Sequence, residues 1–167
     1  ITEGLVGSEM CIRDSASAEA VTTYDLSRLL EVISGHTIEG KLFPKYLYPS
    51  AGGLYPIQIY VDVPKKMDGD GSLDSGVYRY DRLHHHLVAM PDAPDLPVND
   101  SGQVALLLVG DMGSVAPIYG VASEGFCAIE SGHIKHLLLH RAGAFEMRIM
   151  QLPESSQAIT QRLLSLI

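Results

Sequence analysis

Two prolines frame the barest stretch of this chain, Pro49-Ser50-Ala51-Gly52-Gly53-Leu54-Tyr55-Pro56, and Ile57-Gln58-Ile59-Tyr60-Val61-Asp62-Val63 follows it directly. Proline fixes φ and excludes helix, while paired glycines permit backbone turns that side chains forbid. The alternation Ile57, Ile59, Val61, Val63 predicts a strand with one apolar face. A loop nearly free of side chains, anchored to a rigid strand, leaves main-chain N–H groups open to a flat polar group. That pairing constrains the fold more than any other segment.

The rest of the chain supplies one core around this strand. Leu26, Leu29, Leu30 and Ile33 fall at helical spacing from Tyr24 to Ile33, and Ser34-Gly35 is a helix stop. Residues 36–48 read as a connection, and Lys65 to Ser75 as a surface loop. Val77-Tyr78-Arg79-Tyr80 and Leu87-Val88-Ala89-Met90 predict a hairpin turning over Asp81 to His86. Pro91 to Gly102 is a second exposed connection, and Val104 to Val109 reads as a strand covered on both faces. The longest helical pattern runs from Glu124 to Phe145, with Ile129, Ile134, Leu137, Leu138 and Ala142 as its core stripe. A short amphipathic helix is expected over Ile159 to Leu166. Strands in succession flanked by helices predict an α+β domain rather than alternating βαβ units.

Composition narrows the classes of function. A net charge of −8 with no basic cluster argues against nucleic acid. No apolar run approaches the length that spans a bilayer, so no membrane segment is expected. Cys11 and Cys127 make no disulfide framework, which fits a reducing cytoplasm.

Lys45-Tyr46-Leu47-Tyr48-Pro49-Ser50-Ala51-Gly52-Gly53-Leu54-Tyr55-Pro56-Ile57-Gln58 resembles the flavin-contacting segment of nitroreductase-fold oxidases of the SagB/McbC type, with phrasing closest to the oxidase domains of nonribosomal peptide synthetases. Pro117-Ile118-Tyr119-Gly120, followed by Glu130-Ser131-Gly132-His133-Ile134, is similar to a second block of that family, and Gly76 to Leu87 to its Tyr-rich hairpin. The resemblance covers roughly residues 24–150, in the family's order. It implies a mostly antiparallel sheet packed on a long core helix, an FMN cofactor, a homodimer, and oxidation of peptidyl or carrier-protein-bound thiazoline or oxazoline rings to thiazoles or oxazoles. Pro49, Ser50, Ala51, Gly52 and Gly53 are the implied FMN-binding residues. Tyr119 is the implied catalytic residue, handling the proton that must leave as hydride is removed. The ribosomal-peptide azoline oxidases carry Lys-Tyr here; this chain has Ile118 before Tyr119. Two further readings are an NAD(P)H-dependent nitro or enone reductase and a degenerate, non-catalytic fragment of the fold.

The chain departs from the family at both ends, and truncation there is expected. Leu5 to Ser15 resembles the translated read-through of a sequencing adapter, so residues 1–15 are set apart as an artefact and 16–167 as a partial oxidase domain. The family's phosphate-gripping Arg-x-Ser-x-Arg-like segment belongs before the Tyr24 helix and is not found there. Ala144 to Pro153 replaces the family's glycine-bearing segment after the long helix.

His133, His136 and His140 share one helix face, and His84-His85-His86 form a triplet. Without an accompanying Cys/His/carboxylate signature, no metal site is expected, and the triplet reads as a solvated turn. Cys127 reads as a small core residue, and Glu130 as structural or as shaping the site.

Overall fold

The computed structural model describes residues 7–13, 21–40, 44–67, 72–93, 103–144 and 148–151, with the backbone alone for the first and last of these segments. Among these residues nine strands and α-helices run in the order β1 (Gly7–Arg13), α1 (Thr23–Leu30), β2 (Ile57–Val63), β3 (Gly76–Asp81), β4 (His86–Ala89), β5 (Val104–Gly110), α2 (Met112–Tyr119), α3 (Ser123–Ala144) and β6 (Arg148–Gln151). The strands form a six-stranded sheet in the order β4-β3-β2-β5-β1-β6. Every neighbouring pair is antiparallel. The α+β expectation therefore holds.

Helix α1 begins where Thr22 and Asp25 form a reciprocal capping box, an arrangement that satisfies two orphan amides. Leu26, Leu29, Leu30 and Ile33 are all buried, as their spacing requires. A tighter helical turn over Glu31–Ile33 follows, closed by the Ser34 hydroxyl donating to the Glu31 carbonyl at 2.7 Å.

Central strands β2 and β5 are covered on both faces. Ile57, Ile59, Val61, Val63, Val104, Leu106 and Leu108 join the main core with α1, α3 and Val115 of α2. The alternate positions Tyr60, Ala105, Leu107 and Val109 form a second cluster with Val77, Met90 and Ala93. Period-two alternation assigns each side chain to one face. The hairpin matches its expected strands closely, with Tyr80 facing Leu87 across β3 and β4.

Helix α3 buries Cys127, Glu130, Ser131, Ile134, Leu138 and Ala142. Ile129, expected on this stripe, is instead exposed. At about 100° per residue it lies far round the helix from the 127-131-134-138 row. Three elements were not anticipated, β1 among them, because Ile57 to Val63 was expected to be the first strand. Helix α2 hides behind Pro117, and its apolar residues show no clear stripe; Asp111 caps it by accepting from the Gly113 amide at 3.0 Å. Strand β6 pairs with β1 over Met10↔Gln151 to Arg13↔Arg148.

Strand β1 lies within residues 1–15, between β5 and β6. Such pairing asks only for main-chain amides and carbonyls, so the adapter reading of that segment stands beside it as a proposal. The expected helix at Ile159 to Leu166 lies outside the described residues. Among the described residues, no helix is long and apolar enough to cross a membrane.

Candidate functional site

Antiparallel pairing of β2 with β5 builds the site. The start of β2 lies opposite the end of β5, with Ile57 facing Gly110, and the Asp111 amide donates to the Pro56 carbonyl at 3.0 Å. The loop entering β2 and the helix leaving β5 thus lie at the same end of the two central strands. Gly52 of that loop and Tyr119 at the end of α2 meet there: a Cβ built on Gly52 would lie 2.7 Å from the Tyr119 hydroxyl. Two residues singled out separately in the sequence are in contact.

The loop holds its own shape. Ala51–Gly53 is a single helical turn in which Gly52 and Gly53 adopt φ of 60° and 69°, the left-handed region open to glycine at little cost. The Gly53 amide donates to the Ser50 carbonyl at 3.1 Å and the Leu54 amide to the Ala51 carbonyl at 3.2 Å. The Tyr55 amide donates to the Ser50 hydroxyl at 2.8 Å. Several loop amides expected to face a ligand are therefore spent on the turn itself. Both glycines are exposed, and a Cβ on Gly53 would meet nothing within 4 Å. Pro49 is exposed, and Ser50 and Ala51 are half-buried beside them.

Tyr55 also takes a positive φ, 51°, unusual for a bulky residue. Such strain persists only where the surroundings over-determine it. Here Arg82, in the β3–β4 turn, donates to the Tyr55 carbonyl at 3.0 Å and also to the Tyr48 hydroxyl. Its guanidinium sits 5.0 Å above the Tyr46 ring. Tyr46 and Tyr55 lie 4.3 Å apart by ring centroids, and Tyr48 meets Tyr55 edge-on at 5.6 Å. Burial pushes the Tyr48 phenol up, against the pull of Arg82, so it stays a neutral hydroxyl.

Glu130 reaches the same loop from α3. It is 2% exposed, and its carboxylate draws on the Ser50 hydroxyl and the Ile57 amide. Its Oε1 is buried without a hydrogen-bond partner among the described residues. Burial raises its carboxyl above the usual range, outweighing Ser50, Arg82 and Ile57, which all favour the ionised form. Tyr119 is half-buried and packs edge-on against Phe126, with ring centroids 4.8 Å apart. Cys127 is fully buried, its thiol pushed up to about 11 by desolvation and by Glu130 and Asp111, which makes it inert.

The structure thus gathers Ser50, Gly52 and Tyr119, and adds Arg82 and Glu130 as supports. Nothing in the sequence marks Arg82. Glu130, read from the sequence as structural or as shaping the site, is a carboxylate on the buried 127-130-134-138 row. His133, His136 and His140 are exposed on α3.

No family model matches the chain. It is 30% identical over 124 residues to indigoidine synthase of Dickeya dadantii, covering 74% of this chain and 8% of that protein. It is 27% identical over 131 residues to indigoidine synthase of Streptomyces lavendulae, covering 78% of this chain and 10% of that one. The chain therefore spans a tenth or less of these relatives' length. Among solved structures it is similar to the E. coli microcin synthetase McbBCD complex with truncated pro-MccB17 bound. There the TM-score is 0.60 at 18% identity, over 83% of this chain and 54% of that one. It is also similar to a protein described as a nitroreductase from Ralstonia eutropha JMP134, with a TM-score of 0.59 at 22% identity, over 76% of this chain and 58% of that one. The chain has a nitroreductase-like α+β fold, an antiparallel sheet packed on one long helix.

Proposed function

We propose that this chain carries the flavin-binding part of an FMN-dependent oxidase that dehydrogenates peptidyl or carrier-protein-bound thiazoline or oxazoline rings. The observation that carries the reading is the contact between Gly52 and Tyr119. A side-chain-free turn and a half-buried phenol are brought together by the β2–β5 pairing, where any side chain at position 52 would collide. Two exposed left-handed glycines fit the close approach of a flat ring, and Ser50 to Gly53, with Pro49 ahead of them, are the residues that would hold it. FMN, when bound, supplies the hydride acceptor.

The remaining roles belong to the chain. Aromatisation of the ring also releases a proton, and the Tyr119 hydroxyl is assigned to handle it. Glu130 and Arg82 position the loop, one through Ser50 and the other through Tyr55. Leu54, Ile118 and Val121 stand exposed in the segments that carry Gly52 and Tyr119. Such side chains support a homodimer whose second copy covers this end of the sheet. Similarity to a small part of much longer synthases supports a substrate tethered to neighbouring domains.

The test is FMN fluorescence quenching on titration with the purified chain, followed by oxygen consumption with a thiazoline peptide. Quenching, abolished by Gly52→Val, with thiazoline-dependent oxygen uptake, is the expected result. NAD(P)H oxidation without thiazoline turnover would favour the reductase reading. A folded chain that takes up no FMN would establish the non-catalytic fragment and refute the proposal.

A further inference from the structure

The β3–β4 turn carries a second constellation, remote from the glycine loop in sequence and in chemistry. Asp81 ends β3, His84 lies in the turn, and His86 opens β4. Among the described residues theirs are the His, Cys, Asp and Glu side chains that gather with metal-ligand spacing, one ligand atom from each falling within 4.8 Å of the others. The two aspartate oxygens are divided between tasks. Oδ1 accepts from the Leu83 amide at 3.0 Å and the His84 amide at 3.2 Å, which locks the carboxylate in place. Oδ2 is left facing the His84 Nδ1 at 2.9 Å and the His86 Nε2 at 3.8 Å. The two imidazoles stack at 5.8 Å with 28° between their planes.

The third histidine of the triplet is drawn elsewhere. His85 takes a φ of 53° and turns its Nδ1 to the Tyr80 hydroxyl and its Nε2 to the Ser27 hydroxyl at 3.0 Å. That contact pins the turn to α1 and divides the triplet, one ring to the body of the protein and two to Asp81. The carboxylate absent from the sequence signature is supplied by the residue before the turn.

We propose that Asp81, His84 and His86 bind a divalent transition-metal ion of borderline softness, of the zinc class, with remaining positions open to water. Three N and O ligands at about 2.1 Å from a tetrahedral centre lie roughly 3.4 Å apart. The observed 2.9 and 3.8 Å bracket that spacing. The rest of the closure is left to His84 and His86, whose exposed rings are free to shift. Two imidazoles and one carboxylate select zinc, copper, nickel or cobalt over magnesium and calcium, which require oxygen ligands. The amides on Oδ1 act as outer supports that fix the ligand carboxylate. The bound ion would clamp the turn from which Arg82 reaches Tyr48 and Tyr55.

The test is isothermal titration of the untagged whole chain with zinc chloride, and cobalt(II) absorbance as a reporter of coordination. One ion per chain is expected, with no competition from millimolar magnesium. Asp81→Asn, His84→Ala and His86→Ala should each weaken binding by about tenfold or more, while His136→Ala with His140→Ala leaves it unchanged. Circular dichroism checks that each variant folds, and zinc should raise the midpoint of thermal unfolding of the parent chain but not of the His84→Ala, His86→Ala pair. The proposal fails if the parent binds no zinc, if that pair binds it as well as the parent does, or if the affinity is lost with the α3 histidines instead.

Discussion

Replacing Gly52 by alanine tests the contact on which the site is built. The substitution imposes two separable costs. Holding a non-glycine residue at φ 60° costs about 1–2 kcal/mol. The new Cβ also meets the Tyr119 hydroxyl at 2.7 Å, so the ring must retreat by about 0.7 Å to reach ordinary contact at 3.4 Å. With Phe126 against its edge, that retreat forces an off-rotamer side chain, worth roughly 1 kcal/mol. Gly52→Ala should therefore cost about 2–3 kcal/mol in urea unfolding, or roughly 4–12 °C in Tm for a domain of this size. Tyr119→Phe removes the colliding oxygen and leaves the ring carbon 3.7 Å from the Cβ, an ordinary contact. In that background the same change should cost only its φ share, giving a coupling of about 1 kcal/mol in the double-mutant cycle. Gly53→Ala supplies the control. Its φ is 69° with open space around the Cβ, so it should cost about 1–2 kcal/mol with no coupling to Tyr119. Equal costs at positions 52 and 53, or no coupling between 52 and 119, would refute the packing argument.

Three other outcomes are expected. Arg82→Lys should destabilise by about 2 kcal/mol despite keeping the charge, because an ammonium cannot bridge Tyr48 and Tyr55 while stacking on Tyr46; a reduced near-ultraviolet tyrosine signal checks it, and a lysine variant as stable as the parent would count against it. Tyr80→Phe removes a buried hydroxyl that donates to the Leu30 carbonyl at 3.1 Å and also bonds His85 Nδ1, and should lower urea stability by about 1–3 kcal/mol. The raised Glu130 carboxyl binds its proton more tightly in the folded chain than in the unfolded one. Its contribution is therefore fully present below the ordinary carboxylate pKa and is lost as pH rises through the raised folded value. Urea midpoints from acid to neutral pH should fall along that window in the parent and run flatter in Glu130→Gln; parallel curves would remove Glu130 from the account.

The secondary structure that rests on local period was legible in the residues. Leu26, Leu29, Leu30 and Ile33 announced α1, the alternation from Ile57 to Val63 announced β2, and the unbroken apolar run from Val104 announced a doubly covered β5. Each follows from which way consecutive side chains point, a property of a few neighbouring residues. Helix α2 escaped because Pro117 and an apolar, unstriped composition conceal its period, and Ile129 was misplaced because an apolar residue alone does not say which face of a helix is covered.

What only the tertiary structure decided is who meets whom. The glycine turn and the Tyr119 motif could each be read from the chain, but their contact depends on β2 pairing antiparallel with β5. Choosing β5 as the partner of β2 is a long-range decision, taken by burying both faces of two apolar strands at once. The same holds for Glu130 beneath Ser50, for Arg82 among three tyrosines, and for Asp81 turned toward two of three consecutive histidines. Their chemistry is carried by residue type, while their nearness exists only once the sheet has chosen its order.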